Sequence, residues 1–548
     1  MRRVVHVVAL AVILTVATAW EDRIIEAQGP PCLASTTSGD VQGLVRGGSC
    51  AFLGIPFAAP PVGILRWKAP QPPEPWPAGG LVATTAPLTC AQLNVANGVP
   101  QGVEDCLKLN VWTPNPLPVS GAPVIVWLHP GAFSNASANF APQNGEALAA
   151  LTGAIIVEPN YRLGPFGFLG HAALSTEGKV AGNYGFLDQR AALVWVRNHI
   201  AAFGGNPDNV TLGGQSAGAH SVGLHLVSPG SQGLFHRAIL QSGYASVRWR
   251  SQVDAQPQGD QFAAALGCTQ TDPAPLLACL RLKSRDQVLL AHPPPLFEQL
   301  LETGRPQWTP IVDGVDIPDQ PRYLLEAGAF AHVPVVLGAN RDEGWTFTQR
   351  SFPSAVTLDQ YSATLDSEFG SDAAAILAAY PATDFASPKD ALAAVAGDAE
   401  YVCEARRVAR LIERTGTPVF LYLFEHEVDP VSLDRVVHGL EVNFVFGNNY
   451  GPPLFPAYTL GATDLELFHG IAGYWTRFAR KGNPNSDDLT VVHWPAFSRP
   501  QSDGRGVDKY LALDLPIREG LRLNETRCDF WEPGFYRSTT GSVPAGTP

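Results

Sequence analysis

The stretch that most restricts how this chain can fold is Gly214-Gln-Ser-Ala-Gly218, a G-x-S-x-G set between an apolar run and a helical pattern. Val210 to Leu212 read as the end of a buried strand, and Ala217 to Val227 can start a helix. A serine on so sharp a strand-to-helix turn is forced out into a cleft, and the glycines let neighbouring backbone pass close by. The same turn aims the N–H of Ala217 at a point where negative charge would develop. Glycine and serine are common, so the motif alone is an ordinary turn. It acquires meaning only if the chain also supplies a histidine, an acid and further backbone donors.

Elements before and after it follow one rhythm. Leu107, Leu109 and Val111 alternate as in a strand. Val124 to Leu128 and Ala154 to Val157 are continuous apolar runs, as expected of strands covered on both faces. Leu187, Ala191, Val194, Trp195 and Ile200 share one face of a helix that Gly204-Gly205 and Pro207 stop. Ala238 to Leu240 and Val333 to Leu337 continue the alternation. Strand–helix–strand repetition predicts a large, mostly parallel sheet with helices on both faces. Reactive groups in such sheets sit beyond the carboxyl ends of the strands.

The chain is long enough, at 548 residues with 45% hydrophobic, for several domains. It has no linker, repeat or low-complexity tract to divide it, so one large domain with insertions is expected over residues 20–548. Arg2 and Arg3, the apolar Val4 to Val16 and Ala17-Thr-Ala19 read as a cleavable secretory signal over residues 1–19. The apolar run is short for a bilayer span, and no later segment is apolar enough to cross one. A net charge of −13 without a basic stripe argues against a nucleic-acid partner. Eight cysteines, an even number without a C-x-x-C, fit disulfides in an exported chain. No H-E-x-x-H or phosphate-binding loop occurs, so no metal or cofactor is expected. The Ala/Gly/Pro-rich composition points to a GC-rich bacterial source.

A serine hydroxyl needs a base within reach, and the base needs an acid to hold its tautomer. Around a G-x-S-x-G the chain order is serine, acid, histidine. Glu343 lies just past the strand Val335 to Gly338, with Asp342 its local rival. His438, His426, His469 and His493 all lie downstream, and position alone does not choose among them. His426 sits between two glutamates in an expected strand. Backbone donors should come from the loop after an early strand, where His129-Pro-Gly-Ala-Phe133 stands. Gly131 and Ala132 there, with Ala217, offer three N–H groups, and Pro130 offers none. Losing one such donor costs roughly 3–4 kcal/mol of barrier. His129 precedes the serine and reads as structural.

With these residues in view, the chain from about Val41 to Trp531 resembles the type B carboxylesterases, which include the cholinesterases. The likeness rests on Phe52-Leu-Gly-Ile-Pro-Phe-Ala58, Glu104-Asp-Cys-Leu-Lys-Leu-Asn-Val-Trp112, Asn160-Tyr-Arg-Leu-Gly-Pro-Phe-Gly-Phe168 and Gly182-Asn-Tyr-Gly-Phe-Leu-Asp-Gln189. It implies an α/β-hydrolase fold and an exported serine ester hydrolase acting on a small-molecule ester through an acyl-enzyme. Ser216 would be the nucleophile, His438 the base, Glu343 the acid, and Gly131, Ala132 and Ala217 the oxyanion hole. Ser242 would support the acid. Arg66 with Glu104, and Arg162 with Asp188, would be structural ion pairs. Cys90–Cys106, Cys268–Cys279 and Cys403–Cys528 resemble family cysteine positions; Cys32 and Cys50 remain, and whether they pair across an N-terminal hairpin is left open by the sequence.

Three departures from the family bear on the substrate. Gln215 stands where many relatives have glutamate, the oxyanion loop is not a run of three glycines, and the Cys90–Cys106 loop has no tryptophan. Cholinesterases hold choline with a tryptophan in that loop by cation–π attraction. Choline esters are therefore disfavoured, and Gln215, Phe133 and Trp249 are expected to line the substrate pocket. A lipase, a carbamate or amide hydrolase and a polymer- or toxin-ester hydrolase would share the same triad. A non-enzymatic adhesion protein of this fold would lack the nucleophile.

Overall fold

The computed structural model describes residues 32–77, 79–178, 181–244, 246–291, 308–428, 435–449, 458–498 and 507–532. The signal expected over residues 1–19 lies outside them.

An eleven-stranded mixed sheet runs through the molecule. Its strands in chain order are β1 (Leu44–Arg46), β2 (Ser49–Pro56), β3 (Lys108–Pro114), β4 (Ala122–Leu128), β5 (Ile155–Pro159), β6 (Gly205–Gln215), β7 (Arg237–Gln241), β8 (Val335–Asn340), β9 (Val419–Phe424), β10 (Lys509–Leu513) and β11 (Arg518–Leu521). In space the order is β11-β10-β9-β8-β7-β6-β4-β5-β3-β2-β1. The centre from β5 to β10 is parallel, and both margins are antiparallel.

The two-residue period of a strand explains why the central runs are apolar throughout. In β4, Val124, Val126 and Leu128 enter one core, while Ile125 and Trp127 enter another on the opposite face. In β9, Leu421 and Leu423 join the first core, and Phe420, Tyr422 and Phe424 the second. Helices α1 (Tyr184–His199) and α2 (Ala217–Val227) supply Leu193, Val196, Val222 and Leu226 to the first core. A later helix, Ala462–Lys481, covers the second with Leu467, Ile471 and Trp475.

Strand β6 is longer than its apolar run. It begins at Gly205, and its pairing with β4 shifts register between Gly205 and Val210, where Asn206, Pro207 and Asp208 intervene. The helix expected over Leu187 to Phe203 starts three residues earlier, at Tyr184, and tightens into a 3-10 turn at Ile200–Phe203. His426, expected in a strand, lies two residues beyond the end of β9 in irregular backbone.

Four disulfides join Cys32–Cys50, Cys90–Cys106, Cys268–Cys279 and Cys403–Cys528. The last spans 125 residues and ties the C-terminal helix Glu525–Trp531 to the helix starting at Cys403. Two guanidinium–carboxylate forks brace the loops around the sheet. Arg66 reaches Glu104 at 2.6 and 2.7 Å, and Arg162 reaches Asp188 at 2.7 Å through both nitrogens.

Candidate active site

Ser216 sits between β6 and α2 with φ 53° and ψ −124°, a conformation that costs a non-glycine residue about 1–3 kcal/mol. Its surroundings hold it there. The Ser216 N–H donates to the carbonyl of Gln241 on β7 at 2.9 Å, and its own carbonyl accepts from His220 N–H at 2.8 Å. The flanking glycines are demanded by close approach: a Cβ on Gly218 would lie 2.0 Å from the carbonyl oxygen of Leu128, and one on Gly214 would lie 2.5 Å from the carbonyl carbon of Gly218. The start of α2 is thus pressed onto the end of β4.

That same end of β4 leads into His129-Pro-Gly-Ala-Phe133. Gly131, Ala132 and Phe133 all have positive φ, at 113°, 50° and 58°. The loop closes on itself where Ser134 and Asn135 N–H groups both donate to the Gly131 carbonyl, at 2.9 and 3.0 Å. Among the described residues, no intramolecular bond takes up the N–H of Gly131, Ala132 or Ala217. These donors are left for something in the cleft.

Glu343 follows β8 and is fully buried. Its Oε1 accepts the Asn340 N–H at 2.7 Å, and its Oε2 lies 2.6 Å from Nδ1 of His438. A carboxylate at Nδ1 fixes the proton on that nitrogen and leaves Nε2 as the acceptor. The Gln215 amide nitrogen is 3.2 Å from that Nε2. Ser216, His438, Gln215, Gly131 and Ala132 share the wall of one cavity of about 550 Å³. Gly131 and Ala132 follow the carboxyl end of β4, Ser216 that of β6 and Glu343 that of β8, while Thr89 to Gln101 close the cavity from the segment before β3.

The rivals have other occupations. Asp342 faces away, accepting the Val436 N–H at 2.8 Å and pairing with Arg341 at 2.9 Å. His426 has both ring nitrogens on carboxylates, Asp514 and Asp464, each at 3.0 Å. His469 and His493 are exposed, away from this cavity. His129 is buried flat against Tyr161, ring centroids 4.1 Å apart, with Nδ1 on the Pro130 carbonyl at 2.8 Å. Burial lowers its pKa to about 4, so it stays neutral.

Of the expected pocket residues, only Gln215 lines the cavity. Phe133 and Trp249 do not: their rings meet edge-on at 6.0 Å, and both lie in the core. The positive φ of Phe133 turns its side chain inward onto Phe168, 5.3 Å away. Ser242 N–H donates to the Gly338 carbonyl at 2.9 Å, so this residue bridges β7 to β8.

Sequence reasoning passed over a second layer. Asn340 Nδ2 donates to the Val437 carbonyl at 2.7 Å and to Glu441 at 2.6 Å, so the end of β8 grips the histidine loop. Gln241 joins Glu441 at 3.2 Å and accepts from Trp475 Nε1 at 2.9 Å. Burial, then the neighbouring Glu343 carboxylate, push the Glu441 carboxyl up to about 7. The rings of Tyr401 and Phe347 lie 4.9 and 5.1 Å from the His438 ring. Tyr401 is carried on a π-helix, Asp398–Val402, a rare form often found beside functional sites. Only Glu441 left a local trace, three residues after His438.

A strained serine, an imidazole backed by a buried carboxylate, and the open N–H groups of Gly131 and Ala132 meet at one cavity, with the N–H of Ala217 at the adjoining start of α2. A model of the carboxylesterase family matches residues 31–531, nearly the whole chain, and the protein belongs to that family of α/β-hydrolase-fold serine carboxylic ester hydrolases.

Proposed function

We propose that the protein is a secreted or periplasmic esterase whose triad is Ser216, His438 and Glu343. The observation that carries this reading is the 2.6 Å contact between Glu343 and His438 Nδ1, with the imidazole and Ser216 on the same cavity wall. Ser216 Oγ attacks the ester carbonyl carbon as His438 Nε2 takes its proton. Glu343 holds the imidazole in the required tautomer and stabilises the imidazolium. The oxyanion rests on the N–H groups of Gly131, Ala132 and Ala217, which the fold holds without an intramolecular acceptor among the described residues, so they need no reorganisation during the reaction. The C–O bond then breaks, the alcohol leaves with the proton from His438, and water activated by the same nitrogen frees the acid.

Export is supported by the four disulfides and by the leader-like residues 1–19. None of the described helices is long and apolar enough to cross a membrane. Residues 20–548 are proposed to form one domain around the single large sheet. The experiment is p-nitrophenyl acetate turnover with Ser216→Ala: the reading requires near-complete loss, and an unchanged rate sinks it.

A further inference from the structure

The cavity beside Ser216 carries polar groups that the hydrolysis itself does not use. They are of two kinds. Gln92 spends its whole amide on architecture: Nε2 donates to the carbonyls of Cys90 and Ala136, and Oε1 accepts from Ala136 N–H, all at 3.0 Å. Asn139 is likewise consumed by Pro87 and Asn110. By contrast, the hydroxyls of Thr89 and Thr346, Nε2 of Gln101 and Oδ1 of Asn135 have no partner in the chain among the described residues. All four side chains line the cavity.

The charge of the wall matters equally. Among the described residues, no carboxylate lines the cavity, and its ionisable side chains are His438 and Arg350. Gln215, beside the nucleophile, is neutral. The aromatic rings there are phenylalanines, without the tryptophan that best holds a cation. A cationic alcohol would find no carboxylate among the described lining residues. A purely alkyl alcohol would strip water from four hydrogen-bonding groups and satisfy none. An alcohol with several hydroxyls both donates and accepts, which two threonines, one amide N–H and one amide oxygen require.

We propose that the cavity selects esters of neutral, hydroxyl-bearing alcohols of the glycerol or sugar type, with Thr89, Gln101, Asn135 and Thr346 recognising the leaving alcohol. This rests on the Ser216 reading. The test compares kcat/KM for glycerol monobutyrate, n-propyl butyrate and butyrylcholine, which share one acyl group. The glycerol ester is expected to lead the propyl ester by roughly tenfold, the scale of one or two net hydrogen bonds, and the choline ester to trail both. In Thr346→Val and Gln101→Leu the glycerol-to-propyl ratio should fall toward one, through KM more than kcat. Equal wild-type values for the first two esters, abolished by Ser216→Ala, would overturn the alcohol assignment and leave the triad intact. A ratio unmoved in both variants would also overturn it. Failure to cleave any of the three would remove the triad reading and this proposal with it.

Discussion

His438 and His426 lie close in the chain, past the same strand, and each meets a carboxylate within 3.0 Å. They differ at the second nitrogen. His426 is closed, with Asp514 on one side and Asp464 on the other. His438 Nδ1 meets Glu343, and its Nε2 meets the neutral Gln215 amide at the edge of a cavity it shares with Ser216. An acid beside an imidazole therefore marks neither ring as a base. On the proposed reading, the base is the ring that lines the cavity together with Ser216.

The hardest blow to this contrast comes from exchanging the two losses. His438→Ala should reduce kcat for a simple ester by about 10⁵–10⁶-fold, as removal of a triad base does elsewhere. His426→Ala should keep kcat within a few-fold. Steady-state rates of both purified variants decide it, and a silent His438→Ala would erase the distinction.

Glu343→Gln sharpens it next. The amide keeps the shape but supports the wrong tautomer, for an expected loss of about 10⁴-fold in kcat. A loss under tenfold would mean that the carboxylate only packs.

His426→Ala has its own cost, in stability. It strands Asp464 and Asp514 without their shared partner, worth about 1–3 kcal/mol by denaturant unfolding. No change in the midpoint would show that the closed histidine is not structural.

The smallest effect belongs to Glu441. Its folded pKa, about 7, lies above the ordinary 4.5, so between these values the native state holds more protons than the unfolded chain. Stability then falls as pH rises through that window. Glu441→Gln should flatten this slope, read as melting temperature against pH. A slope equal to the parent's would place the titration elsewhere.

The histidine contrast also marks how far sequence could see. The turn at Ser216 and the loop at Gly131 and Ala132 were legible because each is local and their glycines serve identifiable close contacts. Glu343 and Asp342 are neighbours in the sequence, and they separate only in space: Glu343 is buried against His438, whereas Asp342 meets Val436, Arg341 and Arg435. His438 and His426 could not be ranked from their flanks, since the second partner of His426 arrives from the helix Ala462–Lys481. Trp249 resembles an aromatic that lines the acyl pocket in the family, and Phe133 adjoins the Gly131-Ala132 loop. Backbone torsion at Phe133 sends the ring the other way. Parallel central strands were readable from two-sided apolar runs. The antiparallel margins, and the polar start of β6, depend on pairings that leave no periodic trace.

The bridge from Cys403 to Cys528 has a practical consequence. It begins one residue beyond the π-helix that sets Tyr401 against the imidazole, and it ends in the last described helix. The helix Glu525–Trp531 is therefore a guy-rope for the backbone that carries Tyr401 against His438. Recombinant protein made in a reducing cytoplasm, or clipped before Cys528, would lose that anchorage beside His438 rather than at the periphery.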